Sequence, residues 1–205
     1  AALAALPLLP LAGAGPVRAE PLPLARIDAY LAALSAGRAR FEQINPDGSR
    51  LTGTLSFRRP GRARFEYDPP APALIVASGQ ALAVFDLAGG GEPAIWPIRQ
   101  TPLWLILGPE PRLSGSDAVI GVEERGPGMT AVRLRDPDRP ELGTVELLFR
   151  HEPLELAGWV VTDEGGSPTA TLLGPIERDA PLPERLFSIQ AEKARLAPDD
   201  GAMRP

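Results

Sequence analysis

Residues Leu51 to Tyr67 read LTGTLSFRRPGRARFEY. In a strand alternate side chains share a face, so Leu51, Gly53, Leu55, Phe57 and Arg59 point one way and Thr52, Thr54, Ser56 and Arg58 the other. Pro60-Gly61 is a turn signal, and beyond it Ala63, Phe65 and Tyr67 restore an apolar face against Arg62, Arg64, Glu66 and Asp68. Two such segments joined by a tight turn predict an antiparallel hairpin with one covered face. Arg59 is the anomaly, a guanidinium on the covered side. Two placements are open to it. At the strand end it can reach back to water along its own stem; if covered, its five donors need acceptors, and the unpaired carbonyls of a helix end are the natural supply. Arg58, Arg62 and Arg64 read as outer-face charges, the last two with nearby acids in exposed pairs that add little stability.

Working outward, the period-two pattern recurs between Gly-rich and Pro-rich turns. It predicts about ten short strands, drawn from Leu51–Arg59, Arg62–Tyr67, Leu74–Ala77, Leu82–Asp86, Ala94–Ile98, Val119–Glu123, Thr130–Arg135, Thr144–Arg150, Leu156–Asp163, Thr169–Leu173 and Leu186–Ile189. So many antiparallel strands in one domain imply a strongly curved sheet or barrel. A 205-residue chain with 44% hydrophobic residues is ample for one such core.

Two segments depart from the strand pattern. Leu24, Ile27, Leu31 and Leu34 fall at helical spacing with Tyr30 beside them, predicting an amphipathic helix from Leu24 to Ala36 that Gly37 ends. Thr101-Pro102-Leu103-Trp104-Leu105-Ile106-Leu107-Gly108 carries an N-cap candidate, Pro at the first helical position and Gly past the end, yet is apolar all round. It is either a buried strand or core turn, or a short helix between two apolar surfaces. As a helix it could join the first one in covering the mouth of a curved sheet. Ahead of both, residues Ala1 to Ala12 are apolar and lead to Val17-Arg18-Ala19, which reads as a secretory signal over residues 1–19 without its basic n-region. The run is shorter than a bilayer span and is broken by Pro7 and Pro10. No cysteine follows to be acylated, so a soluble exported protein is expected, with its domain over residues 20–192 and a polar, disordered tail over 193–205.

The charge of -5 argues against nucleic acid as partner. The absence of cysteine removes disulfides, thiolate metal sites and a thiol nucleophile. His151 is the only histidine and sits in a turn-like Arg150-His151-Glu152-Pro153, with no nucleophile-elbow, HExxH or phosphate-loop motif elsewhere. No metal, no cofactor and no enzymatic activity are expected; an exported hydrolase using His151 is the weaker alternative.

Phe41-Glu42-Gln43, then Gly53-x-Leu55-x-Phe57-x-Arg59-Pro60-Gly61-Arg62-x-Arg64-Phe65-x-Tyr67, Leu74-Ile75-Val76-Ala77-Ser78-Gly79-Gln80-x-Leu82, Thr101-Pro102-Leu103 and Leu182-Pro183-x-x-Leu186-Phe187 form an ordered set. In order and spacing it resembles the periplasmic outer-membrane lipoprotein carrier (LolA) family. The resemblance implies an α+β, mainly β fold: a single strongly curved antiparallel sheet, an unclosed β-barrel, with a helical lid over an apolar cavity. It implies a monomeric periplasmic carrier that takes acylated lipoproteins from an inner-membrane ABC-type release complex to an outer-membrane receptor. The acyl-chain cavity is expected to include Leu55, Phe57, Phe65, Tyr67, Ile75, Leu103 and Trp104. Arg59 is implied as a lid latch on carbonyls near Ile106 and Leu107, with Leu31 less surely placed. Ala63, Phe65 and Ala83 stand where the family often has larger aromatics, which bears on cavity size and, at Ala63, on docking. A periplasmic lipid- or lipoprotein-sensing module of the same fold is the nearer alternative.

Overall fold

The computed structural model describes residues 20–101, 103–109 and 112–197. Eleven strands among the described residues form one antiparallel sheet in the order β6-β5-β4-β3-β2-β1-β11-β10-β9-β8-β7. Six strands form a meander: β1 (Ala36–Ile44), β2 (Arg50–Arg58), β3 (Arg62–Tyr67), β4 (Ala73–Ser78), β5 (Ala81–Asp86) and β6 (Ala94–Pro97). A second meander holds β7 (Val119–Glu124), β8 (Met129–Leu134), β9 (Thr144–Arg150), β10 (Glu155–Thr162) and β11 (Pro168–Leu173). They join where the first strand pairs with the last, Phe41 opposite Leu173. The free edges are therefore β6 and β7, so the sheet is curved but not closed.

The hairpin that opened the reading forms as expected, with Leu55 opposite Phe65 and Phe57 opposite Ala63. Gly61 turns it at φ 68°, and a Cβ there would lie 2.5 Å from the Gly79 carbonyl oxygen, so only glycine suits the site. Inward-facing residues of both meanders meet in one core. The ring of Trp159 on β10 reaches the ring of Phe65 on β3 edge-on at 6.2 Å, across four strand steps of the sheet order. That contact measures how tightly the sheet curls.

Two helices cover the concave side. The first, α1 (Leu24–Ala33), buries Ile27, Tyr30 and Leu31. It stops three residues short of the expected end, and Gly37 lies inside β1 rather than capping a helix. β1 itself was hidden because its Arg38, Arg40 and Glu42 alternate with Gly37, Ala39, Phe41 and Gln43, a face with a single large apolar side chain. The second helix, α2 (Trp104–Leu107), is a single turn that buries Ile106 and Leu107. It lies in the connection from β6 to β7, the two sheet edges, which is why this segment can span the mouth. Thr101 does not cap it, since its hydroxyl donates back to the Ile98 carbonyl at 2.8 Å; Pro102 lies outside the described residues.

The convex side is covered too, which the sequence reading did not anticipate. Leu186–Ile189 is not a strand: a 3-10 turn (Glu184–Phe187) leads into α3 (Ile189–Leu196), capped by Ser188 accepting from Ala191 N–H at 3.1 Å. Lys193, expected to begin a loose tail, is therefore helical. This segment lies over β3 and β4, with Ile189 against Leu74, Val76, Ala83 and Phe85. Arg64 is consequently not an outer-face charge in water. It is 8% exposed and paired at 3.0 Å with Glu192, itself 6% exposed. Arg58 donates to the Leu182 carbonyl and packs over Phe187. The secretory-signal reading, residues 1–19, and the end of the tail, 198–205, lie outside the described residues.

Candidate functional site

The interior is built by alternation. Leu55 and Phe57 from β2, Phe65 from β3 and the half-buried Tyr67 and Ile75 from β3 and β4 belong to one apolar cluster, to which half-buried Leu103 and Trp104 add. All seven expected cavity residues thus pack in or against the same core. Gly53 is bare because a Cβ there would lie 2.6 Å from the Phe41 ring, which fills the floor. Phe41 packs edge-on against Phe65 at 5.7 Å and Tyr67 at 5.1 Å, an arrangement favoured by ring quadrupoles. The Tyr67 hydroxyl donates to Gln43 at 2.7 Å, and burial pushes its phenol up to about 12. Trp104 turns its ring outward instead, beneath the Arg99 guanidinium at 4.3 Å.

The sequence reading missed Leu34, Leu156, Trp159 and Leu173, which line the remaining interior space with Leu55, Phe57 and the lid. Trp159 had a signal that strict alternation hides. Leu156 pairs with Phe149 but Gly158 pairs with Leu148, a bulge that absorbs one residue. Leu156 and Trp159, three apart, therefore face the same way.

The enclosed space is about 20 Å³, enough for about one water. Ile106 and Leu107 are buried in the same cluster and line this space, so the lid side chains themselves take up part of the interior. Outside the lid runs an open groove of about 670 Å³, lined by α1 residues including Asp28 and Leu31 and by Pro109, Arg112 and Ser114. Arg59 lines both spaces and stands between them.

Arg59 lies just past the end of β2, half-buried, with its backbone N–H on the Ser35 carbonyl at 2.8 Å. Its Nη1 donates to the Leu31 carbonyl at 2.7 Å, in the last turn of α1, while its Nε is buried without a partner among the described residues. Burial pushes this guanidinium down from its ordinary value, against a smaller raising effect of Tyr30. The expected carbonyl set is reordered: Leu31 accepts from the arginine, whereas the Leu107 carbonyl accepts from Gly61 N–H at 2.8 Å. Both lid helices are thus tied to one turn of one hairpin. The other side of α1 is anchored by Tyr30 Oη, which accepts from Leu156 N–H at 2.9 Å, and by the preceding Leu22, whose N–H meets Thr130 Oγ1 at 2.7 Å.

Ala63 is fully buried opposite Ala77, so it offers no surface for docking. Ala83 is buried on the convex side under the C-terminal segment, away from the interior. His151 makes its side-chain hydrogen bond to buried Thr130 at 2.9 Å, a structural contact beneath the N-terminal segment rather than one to a nucleophile and a carboxylate. Among the described residues no cluster of His, Asp and Glu is arranged to hold a metal, and no helix is long and apolar enough to cross a membrane.

The chain matches, over residues 32–190, the family model described as outer membrane lipoprotein carrier protein LolA. It is 26% identical over 189 residues to an outer-membrane lipoprotein carrier protein of Legionella pneumophila (strain Corby), covering 82% of this chain and 85% of that one. A 62-residue stretch is 39% identical to an outer-membrane lipoprotein carrier protein of Methylibium petroleiphilum, covering 28% of this chain and 30% of that one. Among solved structures it is similar to a LolA superfamily protein of Nitrosomonas europaea, with a TM-score of 0.46 and 12% identity over 82% of this chain and 99% of that one.

Proposed function

The chain belongs to the family of outer membrane lipoprotein carrier proteins, LolA, and we propose that it holds the acyl chains of lipoproteins under α1 and α2 while they cross the periplasm. Cargo enters from an inner-membrane ABC-type release complex and leaves to an outer-membrane receptor, with the carrier acting as a monomer and without chemistry. The observation that carries this reading is the pairing of an interior that is apolar apart from Arg59 with a lid held at its rim by few polar contacts.

Magnitudes favour a carrier over a static core. Each methylene moved from water into the interior contributes about 0.8 kcal/mol, so about ten contribute about 8 kcal/mol. The rim bonds are weaker: about 1.5 to 3 kcal/mol for the charge-assisted bond from Arg59 and about 1 for the bond from Gly61. Moving Ile106 and Leu107 into water costs about 1.5 to 3 kcal/mol each, so about ten methylenes balance lid and rim together and further methylenes open them, while the empty protein stays covered and hides a surface prone to aggregation.

The test is to isolate the protein from periplasm and examine it by mass spectrometry for co-purifying acylated lipoproteins, alongside uptake of a palmitoylated peptide in vitro. Bound acyl species and saturable uptake are expected. No lipoprotein in the isolate and no uptake would overturn the reading.

A further inference from the structure

Asp28 lies in the middle of α1 and faces the loop that follows α2 rather than the sheet. Its Oδ1 accepts from Leu113 N–H at 2.6 Å and its Oδ2 from Ser114 N–H at 3.1 Å. Burial alone would favour the neutral acid, but hydrogen bonds from Ser114 and from the Leu113 and Ser114 backbone, with Arg112 nearby, hold the carboxyl below its ordinary range. Leu113 is 5% exposed and packs in the interior cluster, so the loop is pinned at a core residue.

These contacts join α1, the hairpin turn and the segments on either side of the α2 C-terminus. Asp28 ties α1 to Leu113 and Ser114, which follow α2 in the chain; the Leu107 carbonyl of α2 accepts from Gly61; two residues away Arg59 donates to Leu31 of α1. The tie inside the lid consists of two bonds to an ionised carboxylate. The tie to the hairpin consists of one charge-assisted bond to α1 and one neutral bond to α2. The weaker seam is therefore the hairpin, and the groove outside the lid brings water to it. Leu22 and Tyr30, bonded to β8 and β10, hold the opposite side.

We propose that Asp28 is a positioning residue that couples α1 and the α2 segment into one unit, so that the lid leaves the Arg59–Gly61 turn in a single step and swings about its β8–β10 side. The inference builds on the carrier reading for what the motion admits, but the coupling is a property of the empty protein. Concerted release explains how one entering chain can clear both helices. Without the tie, α2 could leave alone and expose Ile106, Leu107 and their seats before α1 moved.

Amide hydrogen exchange on the full chain, for the wild type, Asp28→Ala and Asp28→Asn, tests this without cargo. In the wild type the amides of Leu34, Gly61, Leu107, Leu113 and Ser114 should exchange with one common opening constant. Loss of a charge-assisted bond corresponds to at least about a tenfold rise, so in Asp28→Ala the Leu113 and Ser114 amides should exchange at least about tenfold faster. The α1 and α2 amides should then split into two rates. Asp28→Asn keeps one acceptor and should fall between. A rise confined to Leu113 and Ser114, with α1 and α2 still sharing one rate, would reduce Asp28 to a loop cap and overturn the proposal. Faster exchange throughout the strands would do so too, because it marks a core role. Palmitoylated-peptide uptake is measured in parallel: no uptake by the wild type counts against the carrier reading alone, and normal uptake with unsplit rates against the tie alone.

Discussion

Replacing Arg59 with leucine separates stability from release. The substitution removes the 2.7 Å bond to Leu31 but orphans nothing, because that carbonyl keeps Leu34 N–H at 3.2 Å. The backbone bond from residue 59 to Ser35 and the bond from Gly61 to Leu107 do not involve the side chain. It also removes a buried Nε that has no partner, and sets an apolar group beside Phe57 and Leu107. Loss and gain are each about 1 to 3 kcal/mol and oppose one another, so the fold should change by no more than about 2 kcal/mol. Release is another matter. On the carrier reading the arginine bond exists in the closed, empty form and is broken while cargo is held, so it contributes to expulsion. Leucine has an apolar neighbour in either form, the lid when empty and the acyl chain when loaded, so only the lost bond shifts the balance, toward retention by about 1.5 to 3 kcal/mol or a factor of about 10 to 150. Arg59→Leu should therefore load a fluorescent palmitoylated peptide normally and give it up to acceptor liposomes at least about tenfold more slowly, measured by stopped flow. Calorimetry should show a Tm within a few degrees of the wild type. Wild-type release rates, or a collapse of the fold, would refute the assignment of a latch.

Trp159→Ala empties the far wall and should destabilise by about 3 to 5 kcal/mol in urea titration, because a large buried ring leaves a cavity that the bulged strand cannot close. Glu192→Leu alone leaves the buried Arg64 with only the exposed Glu66, 3.1 Å from its Nε, and should cost about 1 to 3 kcal/mol, whereas Arg64→Met with Glu192→Leu should come back close to the wild type; equal losses in both variants would show that packing, not charge pairing, holds the helix. Asp68 is held down to about 2 by hydrogen bonds from Arg40 and Thr52, below its usual 3.8. Its contribution is present above pH 3.8 and lost as pH falls toward 2, so an NMR titration should place its midpoint near 2 and Arg40→Ala should return it toward 3.8.

What the chain's pattern revealed and what it concealed follow from the range of the interactions involved. The β2–β3 hairpin was legible because its register is local: a Pro-Gly turn between two alternating runs fixes which side chains share a face. Arg59 stood out for the same reason, and its acceptor on α1 was foreseeable in kind, a helix-end carbonyl, although it is Leu31 that accepts from it while Leu107 accepts from Gly61 instead. Trp159 was lost to a bulge that shifts the period by one residue, and Arg64 to a partner 128 residues away. Asp28 left no mark, since an acidic residue on a helix reads as solvated until the loop that donates to it is placed. The two kinds of feature fit different tasks. Local pattern lays down an apolar wall, whose large side chains such as Trp159 and Phe65 pack edge to face across it. The long-range polar contacts are few, sit at the rim or beneath the C-terminal helix, and decide which parts of that wall move together.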